Sequence, residues 1–250
     1  QFDLPPPDVN LEVGSGTHGE QTGAMLASVE RELQAREPDI VFVQGDTNST
    51  LAGGLAAAKL GSEVAHIEAG LRSFDRDMAE EINRVIVDHV AEHLFAPTDK
   101  AAEQLRKEGI PSDQISVTGN TIVDALRHYE RAAETESDVL TAHDLEPEKF
   151  GLLTAHRAET VDDPESFASV LQGVAEAADR LGIDIIYPIH PRAQNRLDEF
   201  GLAVPARIKT VDPLGFLDFL RLESTAALVF TDSGGVQEET CTLGTPCVTL

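Results

Sequence analysis

The chain is 250 residues long, larger than a usual single domain, and sets 44 acidic side chains against 19 basic ones for a net charge of −25. A field of that sign repels phosphate backbones and anionic lipid, so nucleic-acid binding and membrane docking through a basic patch are excluded as readings. No run approaches ~20 consecutive apolar residues, and no basic segment leads into an apolar one at the start. Cys241 and Cys247 fit neither a C-x-x-C nor a zinc-site spacing, which points to a reduced, cytoplasmic setting.

In chain order, Gln1–Pro7 reads as the tail of a helix entering a proline-rich connection, and a helix is expected from near Gln21. Short β-branched runs then recur at Asp39–Val43, Val64–Ile67, His93–Ala96, Ile115–Thr118, Leu152–Ala155, Ile183–Ile189, Ile208–Val211, Ala227–Thr231 and Cys247–Leu250. Amphipathic stretches such as Ser49–Leu60, Glu80–Ala91 and Asp163–Leu181 lie between them. Strands alternating with helices predict open, doubly wound α/β architecture, with parallel sheets covered on both faces. The pattern fades between Ala125 and Phe150, which predicts a boundary between residues 1–144 and 145–250. Ligand is expected in the cleft at the carboxyl ends of the strands. Leu250 stops at the end of a strand with no covering helix, so the chain reads as a piece truncated at both ends.

Gly14-Ser15-Gly16-Thr17-His18-Gly19 matches G-x-G-x-x-G, but Asn10–Val13 is too short and polar for the buried strand a dinucleotide site needs, so it reads as a loop leading into a helix. Asp46, in Gly45-Asp46-Thr47, follows a strand where α/β enzymes keep their chemistry, although Asp46 or Thr47 could equally cap the next helix. Glu68 ends the following strand; Arg72, just beyond, could neutralise it. Glu80 and Arg84 share the spacing of an i, i+4 ion pair. His89 and His93, also four apart, lack an H-E-x-x-H core and a third ligand, so no metal is assigned.

In the second half, His156-Arg157 ends one strand and His190 follows the next, a pairing suited to phosphate and to proton transfer near neutral pH. Thr231-Asp232-Ser233-Gly234-Gly235 carries a strand into a helix through glycines, leaving backbone N–H groups and the helix dipole to meet an anion. Glu239, one turn in, could accept from both hydroxyls of a ribose.

Taken in order, G-D-T-N-S-T, H-I-E-A-G-L-R-S, E-E-I-N-R, V-T-G-N-T-I-V-D-A-L, T-A-H-R-A-E and T-D-S-G-G-V-Q-E-E closely resemble the non-hydrolysing UDP-N-acetylglucosamine 2-epimerase family, from about Gly45 to Glu239. The resemblance implies two Rossmann-like domains of the glycosyltransferase-B type with an interdomain cleft, the first carrying the catalytic carboxylates and the second binding UDP. It implies an isomerase that interconverts UDP-N-acetylglucosamine and UDP-N-acetylmannosamine, eliminating UDP to a 2-acetamidoglucal and adding it back, with no cofactor and a homodimeric assembly. By motif match Asp46, Glu68 and Glu80 are its carboxylates, with Asp46 and then Glu80 the candidates for the C2 base; Arg84 and His156 complete the catalytic set. Ser233, Gly234 and Gly235 match the phosphate turn, Glu239 the ribose acceptor and Phe219 a uracil-pocket residue; Arg157 and His190 fall where some members bind a second, activating UDP-sugar.

The resemblance has gaps. The family's opening glycine–threonine–arginine turn and its later arginine have no counterpart here, so residues 1–250 alone are expected to bind UDP weakly and turn over poorly; Ala79, where proline is usual, should loosen its helix start slightly. A hydrolysing epimerase and an epimerase of UDP-diacetamido-uronates share these motifs and stay open as alternatives. The outward-facing acids and only five lysines predict a salt-adapted surface.

Overall fold

The computed structural model describes residues 5–250. Pro5–Pro7 have no regular structure, and the rest of the helix tail expected there lies outside the described residues. The elements are α1 (His18–Arg36), β1 (Ile40–Gln44), α2 (Asn48–Leu60), β2 (Glu63–Ile67), α3 (Ala79–Val90), β3 (His93–Ala96), α4 (Asp99–Lys107), β4 (Ile115–Val117), α5 (Thr121–Glu136) and α6 (Val139–Ala142). They continue with β5 (Phe150–Thr154), α7 (Ala158–Val161), α8 (Pro164–Leu181), β6 (Asp184–Pro188), α9 (Pro191–Phe200), β7 (Ile208–Val211), α10 (Phe216–Thr225), β8 (Leu228–Thr231), α11 (Gly234–Leu243) and β9 (Cys247–Thr249). Each strand expected from the sequence is present. The glycine loop is no dinucleotide turn: residues 9–17 are irregular, and Thr17 caps α1 in a reciprocal box with Glu20, so the helix starts at His18, three residues before Gln21.

The described residues form two compact units, one ending at Thr121 and one spanning Ile122–Leu250. The break therefore precedes the 144/145 division. The reason is α5, whose apolar face sends Leu126 and Ala133 against Leu220 of α10, with Tyr129 edge-on to Phe216. That helix is packed on the second unit, and the charged outer face that masked its period is merely solvated.

In the first unit four parallel strands run β1-β2-β3-β4. Val43, Val64 and Leu94 from the sheet meet Ala57, Val87 and Leu105 from the helices. The small side chains of α2 set the spacing: a Cβ added at Gly53 would stand 3.0 Å from Val43 Cγ1. Phe42 on β1 and Val117 on β4 stay exposed, and Phe42 stacks on Phe95 with centroids 6.4 Å apart.

In the second unit five parallel strands run β7-β6-β5-β8-β9. Central β5 shows why: Leu153 packs with Phe167, Leu171 and Tyr187 on one face, and its neighbour Leu152 packs with Ile186, Leu222 and Val229 on the other. Chain order departs from β5 in both directions, placing the topological switch point between β5 and β8, where such sheets bind ligands.

Candidate active site

The first unit gathers charge at the carboxyl ends of β1 and β2. Thr47, not Asp46, caps α2, accepting from Thr50 N–H, which leaves the Asp46 side chain unused by the helix. Asp46 instead pairs with the Arg84 guanidinium, whose Nη1 lies 3.5 Å from Glu81. Asn83 holds the backbone beneath, donating to Asp46 O at 2.9 Å. The parallel register Gln44↔Ile67 brings the next residues level, so the Glu68 carboxylate lies beside Gly45, with Oε2 3.6 Å from where a Cβ of that glycine would stand. Gln44 Nε2 donates to Glu68 at 2.9 Å. Glu68 also holds φ at 73°, a left-handed conformation that a non-glycine residue adopts at a cost and that clusters at functional sites.

Two expected pairs are replaced. Arg72 does not neutralise Glu68; its Nη1 donates to Asp88 at 2.7 Å and its other face forks onto Glu108 at 2.9 and 2.6 Å. Burial would lower the Arg72 guanidinium, but Glu108 and Asp88 outweigh it and hold it above its ordinary value. Glu80 and Arg84 do not pair either, because Arg84 turns to Asp46 and Glu81; Glu80 stands exposed in the first turn of α3. His89 and His93 share no helix, since α3 ends at Val90 and His93 opens β3.

Behind Asp46 lies a buried network the motifs did not reveal. His66 directs Nδ1 to Asp88 at 2.7 Å and Nε2 to Gly45 O at 2.8 Å, while Asp88 accepts from Gly70 N–H at 3.1 Å. Strand end, glycine turn and α3 are thereby tied together. The available signal was Asp88 itself, an acid on the apolar face of an amphipathic helix.

The second unit builds a different site around the switch point. Ser233 caps α11, and Gly234 and Gly235 lie exposed in its first turn, presenting N–H groups outward. Arg157 Nη2 is 3.9 Å from the position a Gly234 Cβ would take, so this cation borders the glycine turn. Buried Asp232 accepts from the backbone N–H of both His156 and Arg157 at 2.8 Å, and its Oδ1 lies 3.2 Å from His156 Nδ1. Burial acts to raise the Asp232 acid, but His156 and the two N–H donors outweigh it and bring it down to about 2. Tyr187 O–H donates to Ala155 O at 2.7 Å, bracing the same strand end. The His156 and His190 rings lie 5.7 Å apart, which groups both imidazoles with the Arg157 guanidinium on this side of the unit.

Glu239 lies on α11, half-buried and hydrogen-bonded to the carboxyl of Glu223 from α10, a residue no motif singled out. Phe219 of α10 is half-buried against the cluster of Leu152, Leu222 and Val229.

The family model described as UDP-N-acetylglucosamine 2-epimerase matches residues 1–250. The UDP-N-acetylglucosamine 2-epimerase of Methanocaldococcus jannaschii is 50% identical over 256 residues, covering 100% of this chain and 70% of that protein. Its crystal structure in complex with UDP-GlcNAc and UDP superposes with a TM-score of 0.92 over 99% of this chain and 70% of that one. The Neisseria meningitidis UDP-GlcNAc 2-epimerase, solved bound to UDP-GlcNAc, is 31% identical with a TM-score of 0.88, covering 98% of this chain and 68% of the other. A UDP-2,3-diacetamido-2,3-dideoxy-D-glucuronate 2-epimerase of Pseudomonas aeruginosa is 40% identical, covering 100% of this chain and 69% of that protein.

Proposed function

This chain belongs to the UDP-N-acetylglucosamine 2-epimerase family, and from that premise we propose that it interconverts UDP-N-acetylglucosamine and UDP-N-acetylmannosamine, with Asp46, Glu68, Glu80, Arg84 and His156 as the catalytic residues. The C2 proton has no adjacent carbonyl to acidify it, so the C1–O bond to UDP must break ahead of or together with proton loss. The electron pair of the C–H bond then forms the C1=C2 bond of a 2-acetamidoglucal, UDP leaves with the C1 oxygen, and a carboxylate keeps the proton. Return of a proton to the opposite face of C2 and of UDP to C1 completes the inversion.

Each step asks for charge that the two sites possess. Positive charge developing at C1 is stabilised by carboxylates such as Glu68, and Asp46, oriented by Arg84, is the proposed C2 base. The departing diphosphate calls for N–H groups and cations, which Ser233, Gly234, Gly235, His156 and Arg157 supply. In this reading Glu239 accepts from the ribose hydroxyls and Phe219 borders the uracil. Arg157 and His190 could also hold an activating second UDP-sugar, and the proximity of Arg157 to the glycine turn favours a role at the first. The observation that carries the proposal is the side-by-side placement of Asp46 and Glu68 on adjacent strand ends, with Glu68 in a left-handed conformation.

A homodimer, a reduced cytoplasmic setting and a salt-adapted surface belong to the same proposal. Support for the last is that only four acids among the described residues, Glu81, Asp88, Glu223 and Asp232, are buried. Incubation of the purified protein with UDP-N-acetylglucosamine in deuterated water, followed by proton NMR, tests the reaction. Deuterium at C2 in a manno product still bearing UDP is expected; free N-acetylmannosamine with UDP would instead establish the hydrolysing reaction.

A further inference from the structure

Glu223 is 1% exposed, and no donor reaches its Oε1. The group its carboxyl meets is another carboxyl, that of half-buried Glu239. Two ionised carboxylates have only acceptor atoms, so a hydrogen bond between them requires a proton, and the more deeply buried member holds it at the lower cost. Burial and the adjacent Glu239 charge push Glu223 up to about 10, while Glu239 is itself raised by burial and then by Glu238, next along α11. Cys247 of β9 faces the same group and adds to the rise. Glu223 therefore stays neutral at physiological pH and points its O–H at Glu239. Thr245 fixes the helix at this point, its hydroxyl donating to Glu223 O at 2.8 Å.

We propose that Glu223 is a positioning residue for nucleotide binding: its carboxylic acid donates to one oxygen of Glu239 and turns the remaining lone pairs toward the two ribose hydroxyls. The inference rests on the reading of Glu239 as the ribose acceptor. A carboxylate held from behind loses less freedom on binding, and it accepts from a vicinal diol only in the orientation this bond imposes.

The test is calorimetric titration of the purified protein with UDP and with 2′-deoxy-UDP, read as the ratio of the two affinities. Wild type is expected to prefer UDP by about tenfold, the scale of a hydrogen bond to a charged group. Glu223→Gln, which still donates, should keep that preference; Glu223→Leu should bring it close to one. Glu223→Asp, which retains an acid but draws it back, should also lose the preference and covers the case in which the leucine variant does not fold. A preference preserved in the leucine or aspartate variant, or lost in the glutamine variant, overturns the proposal. If wild type and Glu239→Gln bind both nucleotides alike, the ribose role of Glu239 falls first and this inference with it.

Discussion

Asp232→Asn separates the charge of Asp232 from its shape. Asparagine reproduces the neutral acid: its carbonyl can still accept from His156 and Arg157 N–H, while its amide meets His156 Nδ1 where a carboxylate oxygen stood. The folded protein holds the wild-type acid at about 2 against the ordinary 3.8, which amounts to ~2.4 kcal/mol of stability carried by the ionised form. Because the folded value is the lower one, this contribution is present in full above the unfolded value and disappears as pH falls through the folded one. The variant should therefore lie ~2 kcal/mol below wild type at neutral pH, with the gap about halved near pH 3. Urea unfolding of both proteins at a series of pH values, followed by far-UV circular dichroism, measures it. A gap that stays constant across that range, or none at neutral pH, would refute the assignment of the stabilisation to charge. The same substitution removes the carboxylate that faces His156 Nδ1 at 3.2 Å; kcat should fall more than KM rises.

Arg72→Met leaves Asp88, 0% exposed at its side chain, without its cation and should cost about 3 kcal/mol, at the low end for a broken buried pair because His66 and Gly70 N–H remain; a urea midpoint unchanged within error would contradict this. Gly70→Ala should destabilise by about 3 kcal/mol or more, since φ is 83° and the new Cβ would sit 2.4 Å from Ala101 O, and a thermal midpoint equal to wild type would show that the turn can relax. The thermal midpoint of wild type should rise between about 0.1 M and about 2 M potassium chloride as the surface acids are screened; a fall or a flat response would remove the salt-adapted reading.

Strand positions were legible because parallel strands buried on both faces leave unbroken runs of β-branched and aromatic residues, as Ile185-Ile186-Tyr187 does. The unit boundary was less so, because α5 fully buries only Leu126 and Ala133 and its outer face is charged, and a one-sided stripe that narrow looks like a linker. Site residues at strand ends declared themselves through glycine and charge, as at Gly45-Asp46 and Asp232-Ser233-Gly234. Their partners did not. Spacing assigned Arg84 to Glu80 and Arg72 to Glu68, yet both arginines reach to residues far away in the chain, Asp46 and Glu108. Ion-pair partners across a fold are set by which strand ends lie adjacent, and one sequence gives no register between strands.

The buried acids give the arrangement its logic. A protein this rich in carboxylates places nearly all of them in solvent, and the exceptions require compensation. Glu81 accepts from the N–H groups of Ser73 and Phe74, Asp88 from Gly70 N–H, and Asp232 from those of His156 and Arg157. Each of these three thus fixes the backbone of a loop that follows a strand, and the loop's own donors satisfy the charge. Glu223 breaks the pattern in its neighbour: its Oε1, like Asp232 Oδ1, has no hydrogen-bond partner, but the group its carboxyl meets is a second carboxyl. Where N–H groups meet the buried acid it stays ionised and anchors a loop; where a carboxyl meets it, only a retained proton makes the contact attractive. Asp232 and Glu223 are both buried, Glu223 the more deeply, and the neighbours then act in opposite directions: His156 and the N–H donors hold Asp232 down, while a second carboxyl adds to burial in pushing Glu223 up.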